Sequence, residues 1–364
     1  MKKLLLLGYF GFDNSGDDAI LKAMVDNLHK LDNNLELTAL SKDPEKTRRD
    51  YNIKSEDRFS YSAVKREIKN TDMLVFGGGS LLQDITSSRS LYYYLWVIKM
   101  AIREKKPVFI FANGIGPIRK SFNRKLTKRV LNKVNLITLR DQTSYNFIKS
   151  IGVNLSKAKV TADPVFLIEP SENGAENILK SQNLDLGKNI VAISLRHWKE
   201  SENLAEEVAK FCDRFIDEDL DFLIVPMHYP YDVEYCEKVR EISKNPRVSV
   251  LDTQYEVADI ISLLKRCKLV IAMRLHALIY AAKANVPIIS LIYDPKVSGL
   301  SKDLGILENV KVEDVTSDKL YNEYKNLTEN YDERLESIIR ANKIEEQKSM
   351  ETIELLEELI YKND

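Results

Sequence analysis

Short apolar runs alternate with longer amphipathic stretches along the first half of the chain. The apolar runs predict β-strands at Lys3 to Tyr9, Leu35 to Leu40, Met73 to Phe76, Pro107 to Ala112, Leu136 to Leu139 and Val160 to Thr161. Patterns with helical spacing lie between them, at Asp18 to Leu31, Ser90 to Glu104 and Ser121 to Lys133. Strands and helices that alternate in this way are typical of a doubly wound parallel sheet.

The same alternation begins again after a polar segment that contains Pro170, Asn173 and Gly174. It predicts strands at Ile190 to Leu195, Phe222 to Met227, Val248 to Leu251, Leu269 to Ala272 and Pro287 to Tyr293, with helices at Asn203 to Asp217, Val257 to Lys265 and Leu275 to Ala284. We therefore expect an α/β protein with two doubly wound Rossmann-like domains, residues 1–168 and 189–315, joined by a linker at residues 169–188. Residues 316–364 are predicted to form a helical tail that packs back across the domains.

Composition and charge reduce the number of function classes to which the chain could belong. The chain has 364 residues, enough for two domains, and its net charge of −1 offers no basic excess for nucleic acid. No apolar stretch reaches the roughly 18 residues of a transmembrane helix, and Leu4 to Leu7 is interpreted as a strand rather than a targeting segment. Three cysteines without metal-ligand spacing, Cys212, Cys236 and Cys267, are typical of a reducing compartment. We expect a cytoplasmic protein.

Cationic side chains of the second domain stand where strands end. Arg274 and His276 follow the strand Leu269 to Ala272, Lys296 follows the next strand, and Arg196 follows the first strand of the domain. Because the carboxyl ends of parallel strands share one edge, and a helix begins beside Arg274, these cations predict a site for phosphate or carboxylate. Each has an alternative role: Arg274 could cap the C-terminus of a neighbouring helix, His276 could be a core histidine and Lys296 could be an ordinary surface residue.

The loop after the first strand carries Asp13, Asn14, Gly16 and Asp17, at the position where nucleotide-binding folds hold phosphate. Its acidic residues oppose a phosphate, so this loop favours recognition of sugar hydroxyl groups. A tight turn in which Asp17 is the N-cap of the first helix is the alternative.

Two further loops of the first domain follow strand ends. A glycine-rich loop with Gly78 and Gly79, which lets a ligand approach the backbone, leads to Asp84 and Arg89. Arg140 follows the fifth strand and precedes Asp141. As the alternative, Asp141 caps the next helix and Arg140 only pairs with Asp141. Because both domains present such loops, we expect them to face a cleft, as in the glycosyltransferase B arrangement.

In combination, these motifs resemble those of the polysaccharide pyruvyl transferase family. They are Gly11 with Asn14 to Asp17, Gly77 to Asp84, Gly114 to Pro117, Arg140 with Asp141, Asp163 with Pro164, and Arg274 to His276 followed by Pro287. The closest likeness is to the CsaB-type members, which act on cell-wall polymers and imply a link to S-layer anchoring. The resemblance implies phosphoenolpyruvate as the donor and a pyruvate ketal on a sugar as the product.

The resemblance also implies which residues bind phosphoenolpyruvate. The family binds its donor with an arginine, the histidine of the Arg-Leu-His motif and a downstream lysine. In this chain the resemblance places these roles on Arg140, His276 and Lys296, with Arg196 as the alternative to Arg140. Arg274 is a further candidate for donor binding and catalysis. His276 is the expected general acid, because histidine titrates near neutral pH.

The acceptor sugar is expected at the first domain. Its candidate ligands are Asp13, Asn14, Gly16, Asp17, Gly78, Gly79, Asp84 and Arg89. Asp13, Asp17 and Asp84 are the candidate bases for the attacking hydroxyl, and Asp17 joins His276 and Arg274 as an expected catalytic residue. No metal or cofactor is expected, since no histidine has a partner at ligand spacing.

Two other function classes stay open. A glycosyltransferase that uses a nucleotide sugar would share the architecture and bind a diphosphate in place of phosphoenolpyruvate. A glycan-binding protein without catalysis would have no use for a general acid such as His276. In either pyruvyl or glycosyl transfer, a lipid-linked acceptor would bring the protein to the inner face of the cell membrane through peripheral contact, without an integral segment.

Overall fold

The computed structural model describes residues 1–85, 87–187, 189–199, 201 and 203–361. Lys188 of the expected linker and residues 362–364 of the expected tail lie outside the described residues. The chain divides into two compact units. Unit 1 contains Met1–Leu167 and Glu345–Asp364, and unit 2 contains Ile168–Ile344.

Unit 1 is built on a seven-stranded sheet in which every pairing is parallel. Its strands are β1 (Lys3–Phe10), β2 (Glu36–Ser41), β3 (Lys54–Asp57), β4 (Met73–Gly77), β5 (Val108–Asn113), β6 (Leu136–Leu139) and β7 (Ala158–Val160), in the order 3-2-1-4-5-6-7. Its helices are α1 (Ser15–Leu31), α2 (Pro44–Tyr51), α3 (Tyr61–Asn70), α4 (Ser88–Arg103), α5 (Ser121–Leu131) and α6 (Gln142–Ser150). The strand order reverses between β1 and β4, and ligands bind doubly wound sheets at such a point.

Unit 2 repeats the architecture on a six-stranded parallel sheet. Its strands are β8 (Ile190–Ser194), β9 (Asp221–Ile224), β10 (Val248–Val250), β11 (Leu269–Ala272), β12 (Ile288–Ile292) and β13 (Asn309–Lys311), in the order 10-9-8-11-12-13. Its helices are α7 (Gly174–Ser181), α8 (Leu204–Asp213), α9 (Val233–Ile242), α10 (Val257–Leu264), α11 (Leu275–Lys283), α12 (Pro295–Asp303) and α13 (Ser317–Glu329). The order reverses between β8 and β11.

The middle residues of the central strands are apolar, because helices cover both faces of each sheet. Leu4 to Leu7 of β1 and Leu269 to Ala272 of β11 are all buried. Strands of this kind form continuous hydrophobic runs in the sequence, so their positions could be predicted from it. The expected fold class, with two doubly wound parallel sheets, is confirmed.

The expected linker at residues 169–188 contains helix α7, which belongs to unit 2. Ala175, Ile178 and Leu179 of α7 are buried, and the helix packs against α10. The segment therefore adds to the core of unit 2 instead of only connecting two domains.

The last helix, α14 (Tyr331–Tyr361), continues through the residue at which the two units divide. Its residues up to Ile344 belong to unit 2, and those from Glu345 belong to unit 1. Among the described residues, no helix combines the length and the apolar character that crossing a bilayer requires.

Candidate functional site

In unit 2 the candidate donor residues follow three strands that lie side by side. Arg196 comes after β8, Arg274 and His276 come after the neighbouring β11, and Lys296 comes after β12. All of these strands are parallel, so the four residues stand at one edge of the sheet. This edge includes the point at which the strand order reverses.

Arg274 is held by a buried acid that the sequence did not reveal. Its Nη2 donates to Asp232 Oδ1, and Asp232 is only 3% exposed. The other carboxylate oxygen, Oδ2, accepts from the backbone N–H groups of Met227 at 3.3 Å and His228 at 3.1 Å. Arg274 is therefore fixed in orientation, and it occupies the N-cap position of α11.

The two helices that begin at this edge differ in how their first N–H groups are bonded. At α12, the Asp294 carboxylate accepts from the backbone N–H groups of Lys296 at 2.9 Å and Val297 at 2.8 Å. At α11, the side chain of the N-cap residue Arg274 makes no such capping bond. The positive end of α11, whose first turn contains His276, thus remains suited to an anion.

Arg196 lies beside a pair of aromatic rings that contact each other. Its guanidinium carbon is 5.6 Å from the ring centre of Trp198 and 5.6 Å from that of Tyr293. The two rings are themselves 4.7 Å apart. Burial, with the nearby Asp294, raises the pKa of Tyr293, so this phenol stays neutral beside the cation.

Several buried polar atoms at the same edge have no hydrogen-bond partner among the described residues. They are Ser194 Oγ, Arg196 Nε, Trp198 Nε1, Tyr229 Oη and Arg274 Nε. Buried polar groups are nearly always hydrogen-bonded, so a cluster of unbonded ones is typical of a site that a ligand completes.

In unit 1, Asp17 lies in the first turn of α1, and Asn14 is the N-cap residue that accepts from Gly16 N at 3.1 Å. The alternative of Asp17 as the cap is therefore wrong. Burial, together with the charge of Asp18, raises the pKa of Asp17 to about 8, although Arg140 acts in the opposite direction. Asp17 thus exchanges its proton near neutral pH.

The three candidate bases have different surroundings. The Asp84 carboxylate accepts from Arg119 N at 2.6 Å, Asn123 Nδ2 at 2.7 Å and Lys120 N at 3.1 Å. Burial raises the pKa of Asp84, but these hydrogen bonds outweigh it and lower the pKa below its ordinary value. The same bonds hold the loop around Asp84 in place. Asp13 forms an ion pair with Lys46.

Arg140, an expected donor ligand, stands in unit 1 and is engaged there. Its guanidinium donates to Asp163 Oδ2 at 2.9 Å and to Ser80 Oγ at 2.8 Å, and its side chain is 6% exposed. The structure therefore groups Arg140 with Asp17 and Asp163, whereas Arg196, Arg274, His276 and Lys296 form a separate set in unit 2.

Glycines let the unit 1 loops approach Asp17 and Arg140. Gly79 has a φ of +67°, and a Cβ there would lie 3.0 Å from Asp17 Oδ1. A Cβ at Gly114 would lie 2.6 Å from Ser80 Oγ and 3.0 Å from Arg140 Nε. Gly78, with a φ of +41°, packs against Ile20 of α1. Arg89, by contrast, is exposed at the start of α4.

A group of aromatic side chains beside the loop after β1 was not predicted from the sequence. Tyr9 and Phe12 stack at 3.8 Å, and Phe59 meets Phe12 edge-on at 6.5 Å. Beneath them the buried Arg58 donates to Gly8 O at 2.7 Å and to Tyr94 Oη at 3.1 Å. Arg58 follows β3, a short charged strand without an apolar pattern, so no sequence signal pointed to it.

Comparison with known sequences gives one family. The sequence model described as polysaccharide pyruvyl transferase matches residues 14–295. A curated relative, the amylovoran biosynthesis protein AmsJ of Erwinia amylovora, is 21% identical over an alignment of 400 residues, which covers 93% of this chain and 95% of AmsJ.

Two solved structures with a similar fold hold UDP. MnaA of S. aureus with UDP has a TM-score of 0.69 at 14% identity, covering 99% of this chain and 97% of MnaA. HepE of Anabaena with UDP and glucose has a TM-score of 0.65 at 13% identity, covering 100% of both chains. At this identity the likeness establishes a glycosyltransferase B-like fold and nothing about the substrate.

The family match extends over most of the chain and includes most of the candidate site residues, with Asp13 just before it and Lys296 just after it. It begins at Asn14, the N-cap residue of α1, and ends at Pro295, the residue before Lys296. Because this sequence model matches more than half of the chain, the protein belongs to the polysaccharide pyruvyl transferase family.

Proposed function

We propose that the protein transfers the enolpyruvyl group of phosphoenolpyruvate to a sugar of a polysaccharide or cell-wall precursor, forming a pyruvate ketal and releasing phosphate. The observation that carries the proposal is the set of cations and unbonded polar atoms at the carboxyl edge of the unit 2 sheet, in a chain of this family. The participation of AmsJ in amylovoran biosynthesis, as its name states, supports a polysaccharide acceptor.

Phosphoenolpyruvate presents two anionic groups, a phosphate and a carboxylate. We assign them to Arg274, Arg196 and Lys296, together with the amino end of α11. Arg274 and Arg196 are mostly withdrawn from solvent, where charge-assisted hydrogen bonds to an anion are strongest. Asp232 fixes Arg274, so little side-chain entropy is lost when the donor binds.

The reaction consumes two sugar hydroxyl groups. A proton adds to the methylene carbon of phosphoenolpyruvate, a sugar oxygen attacks the cationic carbon that results, and the bond from that carbon to the phosphate oxygen breaks. A second hydroxyl then closes the ketal. The proton of one hydroxyl group replaces the proton that was added to form the methyl group. The proton of the other hydroxyl group leaves with phosphate. His276, in the first turn of α11, is the proposed proton donor.

We assign the base for the attacking hydroxyl to Asp17. With a pKa of about 8, this carboxyl group is ionised in a minority of molecules at neutral pH and in most of them above pH 8, and the ionised form accepts the hydroxyl proton. Asp84 and Asp13 are less suited, because the first is held by three donors and the second is paired with Lys46.

The acceptor sugar is expected beside Asp17, against the rings of Tyr9, Phe12 and Phe59. Aromatic faces pack well on the apolar face of a pyranose ring, and Phe59 is 67% exposed. The backbone of Gly79 and the N-terminal turn of α1 then supply polar groups for the sugar hydroxyls.

Phosphate release tests this function directly. The purified protein is mixed with phosphoenolpyruvate and a lipid-linked or cell-wall glycan acceptor, and phosphate and the ketal are measured. We expect turnover that depends on both substrates. We expect His276→Ala to lose at least roughly a hundredfold in kcat with the fold retained, because the carbon protonation lacks its donor.

His29→Ala, at the end of α1, is the matched control and should keep normal turnover. Product formed from a nucleotide sugar in the absence of phosphoenolpyruvate would overturn the pyruvyl assignment. Near-normal turnover of the His276 variant would remove this residue as the acid.

A further inference from the structure

One segment of unit 1 has a charge balance unlike the rest of the chain. Between Ile85 and Lys133 there are twelve lysines and arginines and a single acid, Glu104, although the whole protein has a net charge of −1. The segment includes α4, β5 and α5, and the two helices pack side by side. Because β5 is buried, the cations lie on the outer surface of the two helices and their flanking turns.

On α4, aromatic and cationic side chains share one stripe. Arg89, Tyr92, Trp96, Lys99 and Arg103 recur at spacings of three and four residues, which places them on one side of a helix. Arg89, Tyr92, Lys99 and Arg103 are exposed and Trp96 is partly exposed.

On α5, a second stripe has the same character. Phe122, Lys125 and Arg129 are spaced by three and four residues, and Phe122 is 66% exposed. The two helices are also linked beside the stripes, since Tyr92 Oη donates to Asn123 Oδ1 at 2.8 Å. Tyr61 of α3, 61% exposed, extends the aromatic surface by stacking on Trp96 at 5.3 Å.

The cations of this face are not neutralised locally. On neighbouring α3, Arg66 pairs with Glu56 and Glu67. In contrast, Lys99, Arg103, Lys125 and Arg129 form no salt bridge within the described part of the chain. Unpaired cations interspersed with exposed rings on two adjacent helices complement a surface that is anionic and apolar just below its charges.

We propose that this α4–α5 face, defined by the two stripes and Tyr61, docks the protein on a bilayer that contains anionic phospholipid. The cations attract the headgroups, and the aromatic side chains enter the interface between headgroups and acyl chains. Docking of this kind requires no membrane-spanning helix, and it does not depend on which donor the enzyme uses.

Two features favour a bilayer over a free polyanion. A long polyanion would extend past the face and meet a chain that has no overall positive charge. The phenyl ring of Phe122 has no polar atom and gains nothing from solvated phosphates, but it does gain from burial in an interface.

Vesicle sedimentation tests the proposal. The full chain is mixed with vesicles of phosphatidylcholine alone or with phosphatidylglycerol, at low and high salt. We expect binding only to the anionic vesicles and release by salt. Lys125→Glu/Arg129→Glu should lower the partition coefficient at least about tenfold, because each cation near the surface contributes to the attraction.

Matched variants distinguish binding by the α4–α5 face from a general effect of charge or of exposed apolar side chains. Lys311→Glu/Lys319→Glu makes the same charge change on exposed lysines of unit 2 and should bind as the unaltered protein does. Phe122→Ser should weaken binding several-fold, whereas Leu307→Ser, at an equally exposed apolar residue, should not.

Circular dichroism checks that each variant is folded. The proposal is overturned if the protein does not sediment with anionic vesicles, if it binds neutral vesicles equally well, or if both double variants lose binding alike. It is also overturned if heparin or a single-stranded oligonucleotide is bound while anionic vesicles are not. Each outcome is read without measuring turnover, so it stands apart from the proposed reaction.

Discussion

Asp17 shows how the fold sets the chemistry of one carboxyl group. Its pKa is raised from 3.8 to about 8 by burial and by Asp18, with Arg140 and Arg58 opposing the shift. Between these two pH values the side chain is protonated in the folded chain and ionised in the unfolded chain. The stability that Asp17 contributes is therefore complete below about pH 4 and is lost as the pH rises to about 8.

Asp17→Asn keeps a neutral side chain at every pH. We expect the variant to equal the unaltered protein in stability near pH 4 and to exceed it by about 2 kcal/mol at pH 9, because solvent screens part of the effect at this partly exposed side chain. Turnover should fall at least roughly a hundredfold, because the proposed base is gone. Urea unfolding at several pH values and the phosphate-release assay measure the two effects.

Asp26→Asn is the control for this prediction. Asp26 lies on the same helix in a partly exposed pair with Lys22, and its replacement should give no stability gain that depends on pH. A stability difference for the Asp17 variant that stays constant from pH 4 to pH 9 would contradict the raised pKa.

At the scale of elements, Asp232 connects three pieces of unit 2. It is the N-cap residue of α9, accepts from the backbone that leaves β9, and pairs with Arg274 at the start of α11. One buried carboxylate thus sets the position of the Arg274 guanidinium relative to the sheet edge.

Asp232→Asn removes the charge from this connection. We expect the free energy of unfolding to fall by about 3 kcal/mol, since Arg274 would be left mostly buried without its anion. The KM for phosphoenolpyruvate should change more than kcat, because the variant alters donor binding rather than proton transfer. Denaturant unfolding and steady-state kinetics measure these effects.

Glu336→Gln is the matched control, because it breaks an exposed pair with Arg340 and should change stability by less than about 0.5 kcal/mol. Equal stability losses in the two variants would contradict the importance of the Asp232 connection.

At the scale of the whole molecule, unit 1 is completed by residues far away in sequence. The C-terminal part of α14 returns to it, with Ser349 Oγ donating to Asp163 O at 2.8 Å and Thr352 Oγ1 donating to Thr161 Oγ1 at 2.7 Å. Leu356 on the same segment is 0% exposed. The core of unit 1 therefore includes the end of the described chain.

Leu356→Ala should destabilise unit 1 by about 3 kcal/mol, through lost apolar burial and the cavity that remains. Trp96 lies in unit 1 and Trp198 in unit 2, and the chain has no other tryptophan. In a Trp198→Phe background, tryptophan fluorescence during urea unfolding therefore reports on unit 1.

The exposed Glu357 next to it provides the control, and Glu357→Ala should leave the transition within about 0.5 kcal/mol. An unchanged urea midpoint for Leu356→Ala would show that the C-terminal segment is not part of this core.

The sequence by itself determined the two parallel sheets and the strand ends that carry Arg196, Arg274, His276 and Lys296. The physical reason is that a strand covered on both faces must be apolar throughout, so it is visible as a run. Polar residues directly after such runs must then stand at the sheet edge.

Only the tertiary structure decided the rest. Helices α2 and α3 and strand β3 are short and rich in charge, so their pattern did not reveal them, and Arg58 was missed with them. Asp232 and Arg274 are 42 residues apart, and no local signal pairs them. The pKa of Asp17 depends on Arg58, Arg140 and Asp163, which meet it only when the sheet has formed. Contacts of this kind arise from packing, whereas sequence periodicity reports only which face of an element is buried.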